Sequence, residues 1–156
     1  MATKYTSIVQ IASEDELTNL ASKISNYIQP GQIIGLNGEL GTGKTTFVRH
    51  FCKAMGSHDW VNSPTYTLMQ KYKSGTLNII HVDLYRCESE QSIEHLNLEN
   101  YVTLSSILII EWINKTKLLR PSLTINLSYT NSMSRLISIE SEELQWVETL
   151  NHTNPN

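Results

Sequence analysis

Apolar residues recur along this chain at two spacings, every three to four residues in some segments and alternately or continuously in others. The first spacing is typical of helices with one buried face, and the second is typical of strands. Ser13 and Glu16 form a capping pattern before the first helix, and Pro30-Gly31 follows it. The predicted elements, in chain order, are a helix from Ser13 to Ile28, a strand at Gln32–Asn37, a helix containing Phe47–Met55, strands at Tyr66–Tyr72 and Leu77–Leu84, one or two short helices within Ser89–Tyr101, strands at Ser106–Trp112, Leu123–Leu127 and Arg135–Ile139, and a helix at Ser141–Leu150.

The order of these elements predicts an α/β domain with a mixed sheet. Strands separated by helices favour parallel pairing, whereas the Ser74-Gly75 turn joins two strands directly and predicts an antiparallel hairpin. The last two strands are expected to pair with each other. No repeat or linker divides the chain, so we expect one domain over residues 1–150 and a polar tail over 151–156.

Composition and charge narrow the function classes. The chain has 156 residues, of which 40% are hydrophobic and 17% charged, and its formal net charge is −3. These values fit one globular domain and argue against a broad electrostatic grip on nucleic acid. Cys52 and Cys87 lack the spacing of a metal site and are expected to be reduced thiols. No signal peptide and no apolar run of membrane-spanning length is visible, so we expect a cytoplasmic protein without membrane contact.

The segment Gly38–Thr45 (GELGTGKT) carries the strongest chemical signal. It fits G-x-x-x-x-G-K-[ST] at every fixed position and stands between a predicted strand and a predicted helix, where such a loop must lie. Its glycines let several backbone N–H groups point at one anion, and the helix N-terminus adds positive charge. We therefore expect ATP here, with Lys44 on the β- and γ-phosphates and Thr45 on Mg²⁺. The residues expected around the phosphates are Gly38, Glu39, Leu40, Gly41, Thr42, Gly43, Lys44, Thr45 and Thr46.

Two carboxylates end predicted strands and are candidates for metal binding and catalysis. Asp83 closes the run IIHVD, and Glu111 closes SILIIE. Ligands of open α/β sheets lie beyond the carboxyl ends of strands, so both side chains are expected near the phosphates. Taken singly, each is as well explained by a surface acid after a buried strand. Thr65 is a candidate for a switch-like contact with the γ-phosphate or the metal, although on local grounds an ordinary polar turn explains it better.

Four sequence blocks, in order and at matching spacing, resemble the bacterial TsaE family, also called YjeE. They are GELGTGKTTF at Gly38–Phe47, SPTYTL at Ser63–Leu68, HVDLYR at His81–Arg86, and Ile110-Glu111-Trp112. The resemblance covers roughly Ser13 to Arg135. The chain departs from the family pattern at Glu39, where Asp is usual, at Ile113, where Pro is common, and at Ser134-Arg135, where the family has Gly-Arg. None of these changes removes a phosphate or metal ligand.

The resemblance implies a three-layer P-loop NTPase fold with a mixed, partly parallel sheet, and an enzyme that hydrolyses Mg-ATP weakly on its own. It also implies partners, because the family works with TsaB and TsaD in making N6-threonylcarbamoyladenosine in tRNA. ATP hydrolysis would drive turnover of the TsaB–TsaD complex, and tRNA would be met only through that complex. The roles that the resemblance assigns are phosphate and Mg²⁺ ligands for Lys44 and Thr45, a Walker-B-like metal acid for Glu111, a second catalytic or metal acid for Asp83, a switch-like threonine for Thr65, and a position close to the nucleotide for Glu14.

Three other classes of protein remain as alternatives. A P-loop small-molecule kinase usually carries a cluster of arginines, and here the arginines are scattered. A GTP-binding switch would need N-K-x-D, but Asn114-Lys115-Thr116-Lys117 ends in a lysine, which cannot accept hydrogen bonds from guanine. A non-catalytic nucleotide-binding adaptor differs only in not requiring hydrolysis, and the sequence leaves it open.

Overall fold

One seven-stranded sheet and its flanking helices make up the described part of the chain. The computed structural model describes residues 2–131 and 133–151, so the predicted tail lies outside it except for Asn151. The strands are β1 (Tyr5–Ile11), β2 (Ile33–Asn37), β3 (Met69–Ser74), β4 (Leu77–Asp83), β5 (Ser106–Glu111), β6 (Leu123–Tyr129) and β7 (Arg135–Ser141). The α-helices are α1 (Glu14–Tyr27), α2 (Lys44–Ala54), α3 (Glu90–Glu94) and α4 (Leu144–Asn151), with 3₁₀ turns at Leu98–Tyr101 and Ile113–Lys115.

The sheet is mixed, as predicted. Its strand order is β1-β7-β6-β2-β5-β4-β3. The four middle strands β6, β2, β5 and β4 run parallel, whereas β3, β7 and β1 pair antiparallel with their neighbours. The prediction of an α/β fold with a partly parallel sheet is therefore confirmed.

Strand β5 lies between β2 and β4, and both of its faces are apolar. All six of its residues are buried, as expected for a continuous apolar run covered on both sides. Ile107 and Ile109 belong to the cluster that includes α1 and α2, whereas Leu108 and Ile110 belong to the cluster on the other face. This alternation gives the domain its three layers, two layers of helices and loops with the sheet between them.

The parallel strands bring three functional segments to one edge of the sheet. In the register of β5, Glu111 lies opposite Leu36 of β2 on one side and opposite Asp83 of β4 on the other. The Gly-rich loop begins directly after β2. The two acids and the loop therefore meet at the carboxyl ends of adjacent strands, where α/β sheets bind ligands.

The predicted strand Tyr66–Tyr72 is wrong in its first half. Residues 65–67 form a turn, in which the Leu68 N–H bonds the Pro64 carbonyl at 2.6 Å. Leu68 takes a left-handed backbone conformation (φ 64), and β3 begins only at Met69. The alternating pattern of side chains continues across the turn, so it does not reveal where the strand starts.

The two ends of the chain also differ from the prediction. Strand β1 was not predicted, and its seven residues pair with β7, from Tyr5↔Ser141 to Ile11↔Arg135. The last helix begins at Leu144, because Ser141 is still part of β7 and its hydroxyl bonds the Ser122 carbonyl at 2.7 Å. Both corrections have one cause. Strands β1 and β7 pair with each other although they stand near opposite ends of the described chain, so no local pattern reveals their extent.

Two further expectations concern the cysteines and membranes. Cys52 and Cys87 are free, as expected of reduced thiols, and both are also buried. Over residues 2–131 and 133–151, no helix is long and apolar enough to cross a bilayer.

Candidate nucleotide-binding site

Glycine at two positions gives the loop after β2 its shape. Gly38 has φ 148, and a Cβ there would lie 2.5 Å from the Leu127 carbonyl oxygen and 2.6 Å from Thr42 Oγ1. Gly43 has φ 108, and a Cβ there would lie 3.0 Å from Arg135 Nη1. The backbone therefore turns through conformations that larger residues rarely adopt, in a space that a side chain would fill.

The N-terminus of α2 opens into a cavity suited to an anion. Gly43 caps this helix without a side-chain hydrogen bond, and the first turn contains no acidic residue. The N–H groups of the first turn have no partner within a helix, and they carry its positive dipole end. The cavity has a volume of about 200 Å³, and Lys44, Thr45 and Thr46 line it together with Ser63, Thr65, Asp83, Glu111 and Arg135. The loop backbone and this set of side chains fit a phosphate group.

Lys44 is folded back onto its own loop. Its Nζ donates to the carbonyls of Gly38 at 2.6 Å and Glu39 at 2.9 Å, and it lies 4.5 Å from the centre of the Trp112 ring. Burial lowers the pKa of Lys44, and the carboxylates of Glu111 and Asp83 oppose this shift. The ammonium is thus held next to the loop by two carbonyls and an aromatic face, at the wall of the phosphate cavity.

Thr45 and Glu111 form a hydroxyl–carboxylate pair at the base of the cavity. Thr45 Oγ1 donates to Glu111 Oε1 at 2.9 Å, and His81 Nε2 lies 2.8 Å from the same oxygen. Glu111 is 3% exposed. A threonine hydroxyl beside a carboxylate is the combination that holds Mg²⁺ in P-loop proteins, so these two predicted metal ligands lie together.

Asp83 lies beside Glu111 and holds the segment before β3. Thr65 Oγ1 donates to Asp83 Oδ2 at 2.7 Å, and the Tyr85 N–H donates to Oδ1 at 2.9 Å. Ser63 Oγ lies 3.5 Å from Oδ2. The predicted switch-like threonine is therefore attached to the second predicted acid, and both line the same cavity.

The carboxylates at this edge suit magnesium better than a metal that needs a protein-only cage. The part of the chain that the structure describes contains no group of three or more His, Cys, Asp or Glu side chains placed to hold a metal. Mg²⁺ typically takes only one or two carboxylates and completes its shell with water and phosphate oxygens. The donor set of Thr45, Glu111 and Asp83 fits that pattern.

The remaining loop residues contribute through their backbone. Glu39 and Leu40 are exposed, and the Glu39 carbonyl accepts from Lys44 Nζ and from Thr42 Oγ1. Thr42 is buried, and its hydroxyl bond at 2.8 Å is made within the loop. The Glu39 carbonyl and the Thr42 hydroxyl therefore shape the loop, whereas Leu40 lines the cavity.

Glu14 lies in a second cavity next to the first. This cavity has a volume of about 230 Å³ and shares Thr46 and Arg135 with the phosphate cavity. The Glu14 carboxylate pairs with His50 Nε2 at 3.0 Å. Glu14 therefore lines the neighbouring cavity and does not line the phosphate cavity itself.

Arg135 and Tyr129 were not predicted as site residues. Arg135 lines both cavities and reaches Gly43, and the Tyr129 hydroxyl donates to the Gly41 carbonyl. These two residues pair with each other across β6 and β7. The family's late Gly-Arg pair, seen here as Ser134-Arg135, was the only sequence signal for either residue.

Comparison with known proteins identifies relatives of this chain. Residues 11–137 match the family described as "Threonylcarbamoyl adenosine biosynthesis protein TsaE". A relative from Rickettsia typhi, named tRNA threonylcarbamoyladenosine biosynthesis protein TsaE, is 38% identical over 136 residues, which are 83% of this chain and 92% of that protein. A protein of the same name from Bacillus subtilis is 37% identical over 98 residues, or 63% of this chain and 61% of the other.

The fold has also been seen in a solved structure. The crystal structure of Bacillus subtilus YdiB superposes with a TM-score of 0.77 at 23% identity, covering 97% of this chain and 99% of that one. The family match spans most of the chain and includes the loop, both acids and the Thr65 segment. The chain therefore belongs to the TsaE family.

Proposed function

We propose that this protein is the ATP-hydrolysing component of bacterial tRNA threonylcarbamoyladenosine synthesis and acts in the cytoplasm. The relatives' names supply the pathway, and the site supplies the chemistry. The observation that carries the proposal is the bond from Thr45 Oγ1 to Glu111 Oε1 at 2.9 Å, directly below the Gly-rich loop. It brings a hydroxyl and a carboxylate together where a metal–phosphate complex needs them.

Each residue of the site has a part in binding and orienting the phosphates. The N–H groups of the loop and of the first turn of α2 would bind them, and Lys44 would exchange its contacts with the Gly38 and Glu39 carbonyls for phosphate oxygens. Thr45 and Glu111 would hold Mg²⁺, with Asp83 as a further ligand or through water. The metal would offset the charge that develops on the phosphates as the terminal bond breaks.

The Thr65 segment would respond to the terminal phosphate. Thr65 lines the cavity and is tied to Asp83 at 2.7 Å, so a shift of either group on ligand binding moves the other. Asp83 would orient the attacking water or the metal's water shell. Arg135 at the mouth of the cavity adds positive charge beside Gly43.

We further propose TsaB and TsaD as partners, with tRNA met only through their complex. The net charge of −3 gives the protein no general attraction for RNA, which supports contact through other proteins. Hydrolysis would be slow on the isolated chain and faster on the complex.

Phosphate release from ATP tests the proposal. It should be measured for the purified protein alone and with a TsaB–TsaD complex, next to Glu111→Ala and the exposed, distant control Glu142→Ala. We expect a slow rate that rises with the complex, is lost in Glu111→Ala and is kept in the control. A rate indifferent to the complex would contradict the pathway role.

The same assay separates the two main alternatives. Transfer of phosphate to a small acceptor, with no free phosphate formed, would indicate a kinase. ATP binding without turnover, even with the complex present, would indicate a non-catalytic adaptor.

A further inference from the structure

A buried histidine contacts the carboxylate that the proposed function assigns to the metal. His81 is fully buried on β4, two residues before Asp83 and therefore on the same face of that strand. Its Nε2 lies 2.8 Å from Oε1 of Glu111 on the neighbouring strand. The carboxylate accepts only, so Nε2 carries a hydrogen and donates it.

The two donors to Glu111 fix one of its oxygens. His81 and Thr45 both bond Oε1, from opposite elements, β4 and α2. In the described residues, no hydrogen bond reaches Oε2. A carboxylate held at one oxygen in this way keeps a single orientation and has its second oxygen available as a ligand.

The other ring nitrogen of His81, Nδ1, contacts a residue outside the cavity. Nδ1 lies 3.3 Å from the Tyr72 hydroxyl, which lies 3.1 Å from the Asn62 carbonyl. Burial, and then the nearby Cys52, raise the pKa of Tyr72 to about 12, so the hydroxyl keeps its hydrogen at neutral pH and donates it to the Asn62 carbonyl, while its oxygen faces Nδ1. Asn62 begins the segment whose Ser63 and Thr65 contact Asp83.

These contacts form a continuous chain that runs from the buried side chains of Glu111, His81 and Tyr72 to the backbone carbonyl of Asn62. It connects the carboxylate at the base of the cavity to the start of the segment that carries Thr65. The three side chains lie on the sheet face that is covered by α2, and Tyr72 belongs to the larger hydrophobic cluster there. A buried histidine needs hydrogen-bond partners in any role, but here the partner of Nε2 is the carboxylate that is proposed to bind the metal.

We propose that His81 is a positioning residue, which orients Glu111 for a divalent cation and, through Tyr72, ties that carboxylate to the 62–65 segment. The inference rests on the proposed function, since Glu111 is a metal ligand only there. His81 does not touch the nucleotide. It acts by holding one oxygen of Glu111 so that the other is presented to the metal.

Three substitutions separate positioning from core packing. His81→Gln keeps an N–H at the distance of Nε2 and can still donate to Glu111. His81→Asn keeps a polar group only at the distance of Nδ1, on the Tyr72 side. His81→Leu removes both contacts. If the apolar variant does not fold, the matched pair of Gln and Asn still decides the question.

Metal binding is the measurement, with Mn²⁺ as the probe. Free Mn²⁺ is followed by its electron paramagnetic resonance signal while it is titrated into each variant with ADP, and ADP affinity without metal is measured in parallel. We expect His81→Asn and His81→Leu to bind Mn²⁺ about 10- to 100-fold more weakly, the usual cost of losing a group that orients a metal ligand. We expect His81→Gln to stay close to wild type, and metal-free ADP affinity to change little in all three.

The outcomes distinguish this inference from the proposed function. Equal Mn²⁺ affinity in wild type and His81→Leu, or equal losses in His81→Gln and His81→Asn, would overturn the positioning role alone. A wild-type protein that binds no Mn²⁺ with ADP would overturn the proposed metal site, and the inference with it. Thermal unfolding of each variant shows how much His81 adds to the core separately.

Discussion

The two halves of the sheet differ in the kind of polar group that they bury. At the parallel centre, the buried polar residues include Lys44, His81, Asp83 and Glu111, all of them ionisable. In the antiparallel half formed by β1, β7 and β6, the buried polar residues are the serines Ser7, Ser134 and Ser141. Burying charge is costly unless partners are in place, whereas a hydroxyl needs only one or two hydrogen bonds.

This difference shows which part of the fold buries charged groups at a cost in stability and which part does not. The antiparallel half satisfies its serines inside the protein, for example through Ser7 to Asn151 at 2.6 Å and Ser141 to the Ser122 carbonyl at 2.7 Å. The parallel centre instead keeps an ammonium and two carboxylates around a cavity. Substitutions should therefore affect activity at the centre and stability in the antiparallel half.

The largest expected effect follows removal of the Lys44 ammonium. Lys44→Ala should lower phosphate release at least about 100-fold, because the phosphates lose the ammonium that offsets their negative charge. Lys115 is a matched control, because its Nζ is also held by two carbonyls, those of Tyr85 and Cys87, outside the cavity. Lys115→Ala should keep most of the activity. Similar losses in both variants would mean that the cavity is not the site.

A smaller loss is expected when Thr65 is released from Asp83. Thr65→Ala should reduce phosphate release about tenfold, as expected for an orienting contact, and leave ADP binding almost unchanged. The control is Thr116→Ala, which breaks a comparable bond at 3.1 Å to Glu90, away from the cavity. Activity and ADP affinity are measured on both proteins, and an unchanged rate in Thr65→Ala would exclude the switch-like role.

A substitution in the antiparallel half should lower stability and leave activity unchanged. Ser141→Ala removes the bond to the Ser122 carbonyl and one to the Glu143 N–H at 3.0 Å. We expect the free energy of unfolding to fall by about 1–2 kcal/mol, the usual cost of leaving buried groups without partners. Phosphate release per folded molecule should be unchanged, and urea unfolding with parallel assays would check both. A strong loss of activity with no loss of stability would contradict the difference between the two halves.

The smallest expected effect concerns Cys52, which is buried on α2 away from the cavity. Burial, and then Asp59, raise the pKa of its thiol to about 12, above its ordinary value of 9.0. The folded state thus keeps a proton that the unfolded state loses, so this contribution is complete below about pH 9 and is lost as the pH rises towards 12. Urea unfolding from pH 8 to 11 should show a shallower decline in Cys52→Ala than in wild type. Parallel curves would show that the thiol is not responsible.

The sequence predicted those parts of the site that depend on neighbouring residues. Gly38–Thr45 is a local motif, and Asp83 and Glu111 could be placed because both end apolar runs. Their adjacency, however, comes from the register of β4 on β5, which no single segment encodes. The same holds for His81 on Glu111, a contact between residues 30 positions apart.

The fold was predictable to a similar extent. The middle strands and the hairpin had clear apolar patterns, whereas β1 has two buried residues in seven and gave little signal. Its place depends on pairing with β7. Arg135 was missed as a site residue for the same reason, since it reaches Gly43 only after β7 has joined the sheet.

The pairing of β1 with β7 has a consequence for synthesis on the ribosome. The first strand pairs with β7, which follows every other strand that the structure describes, and contacts so distant in sequence form late. A nascent chain that has passed α2 and β5 already contains Lys44 and Glu111, but it lacks β6, β7 and Arg135. The nucleotide site is therefore complete only after β7 has been translated, and until then β1 is an edge without its partner strand.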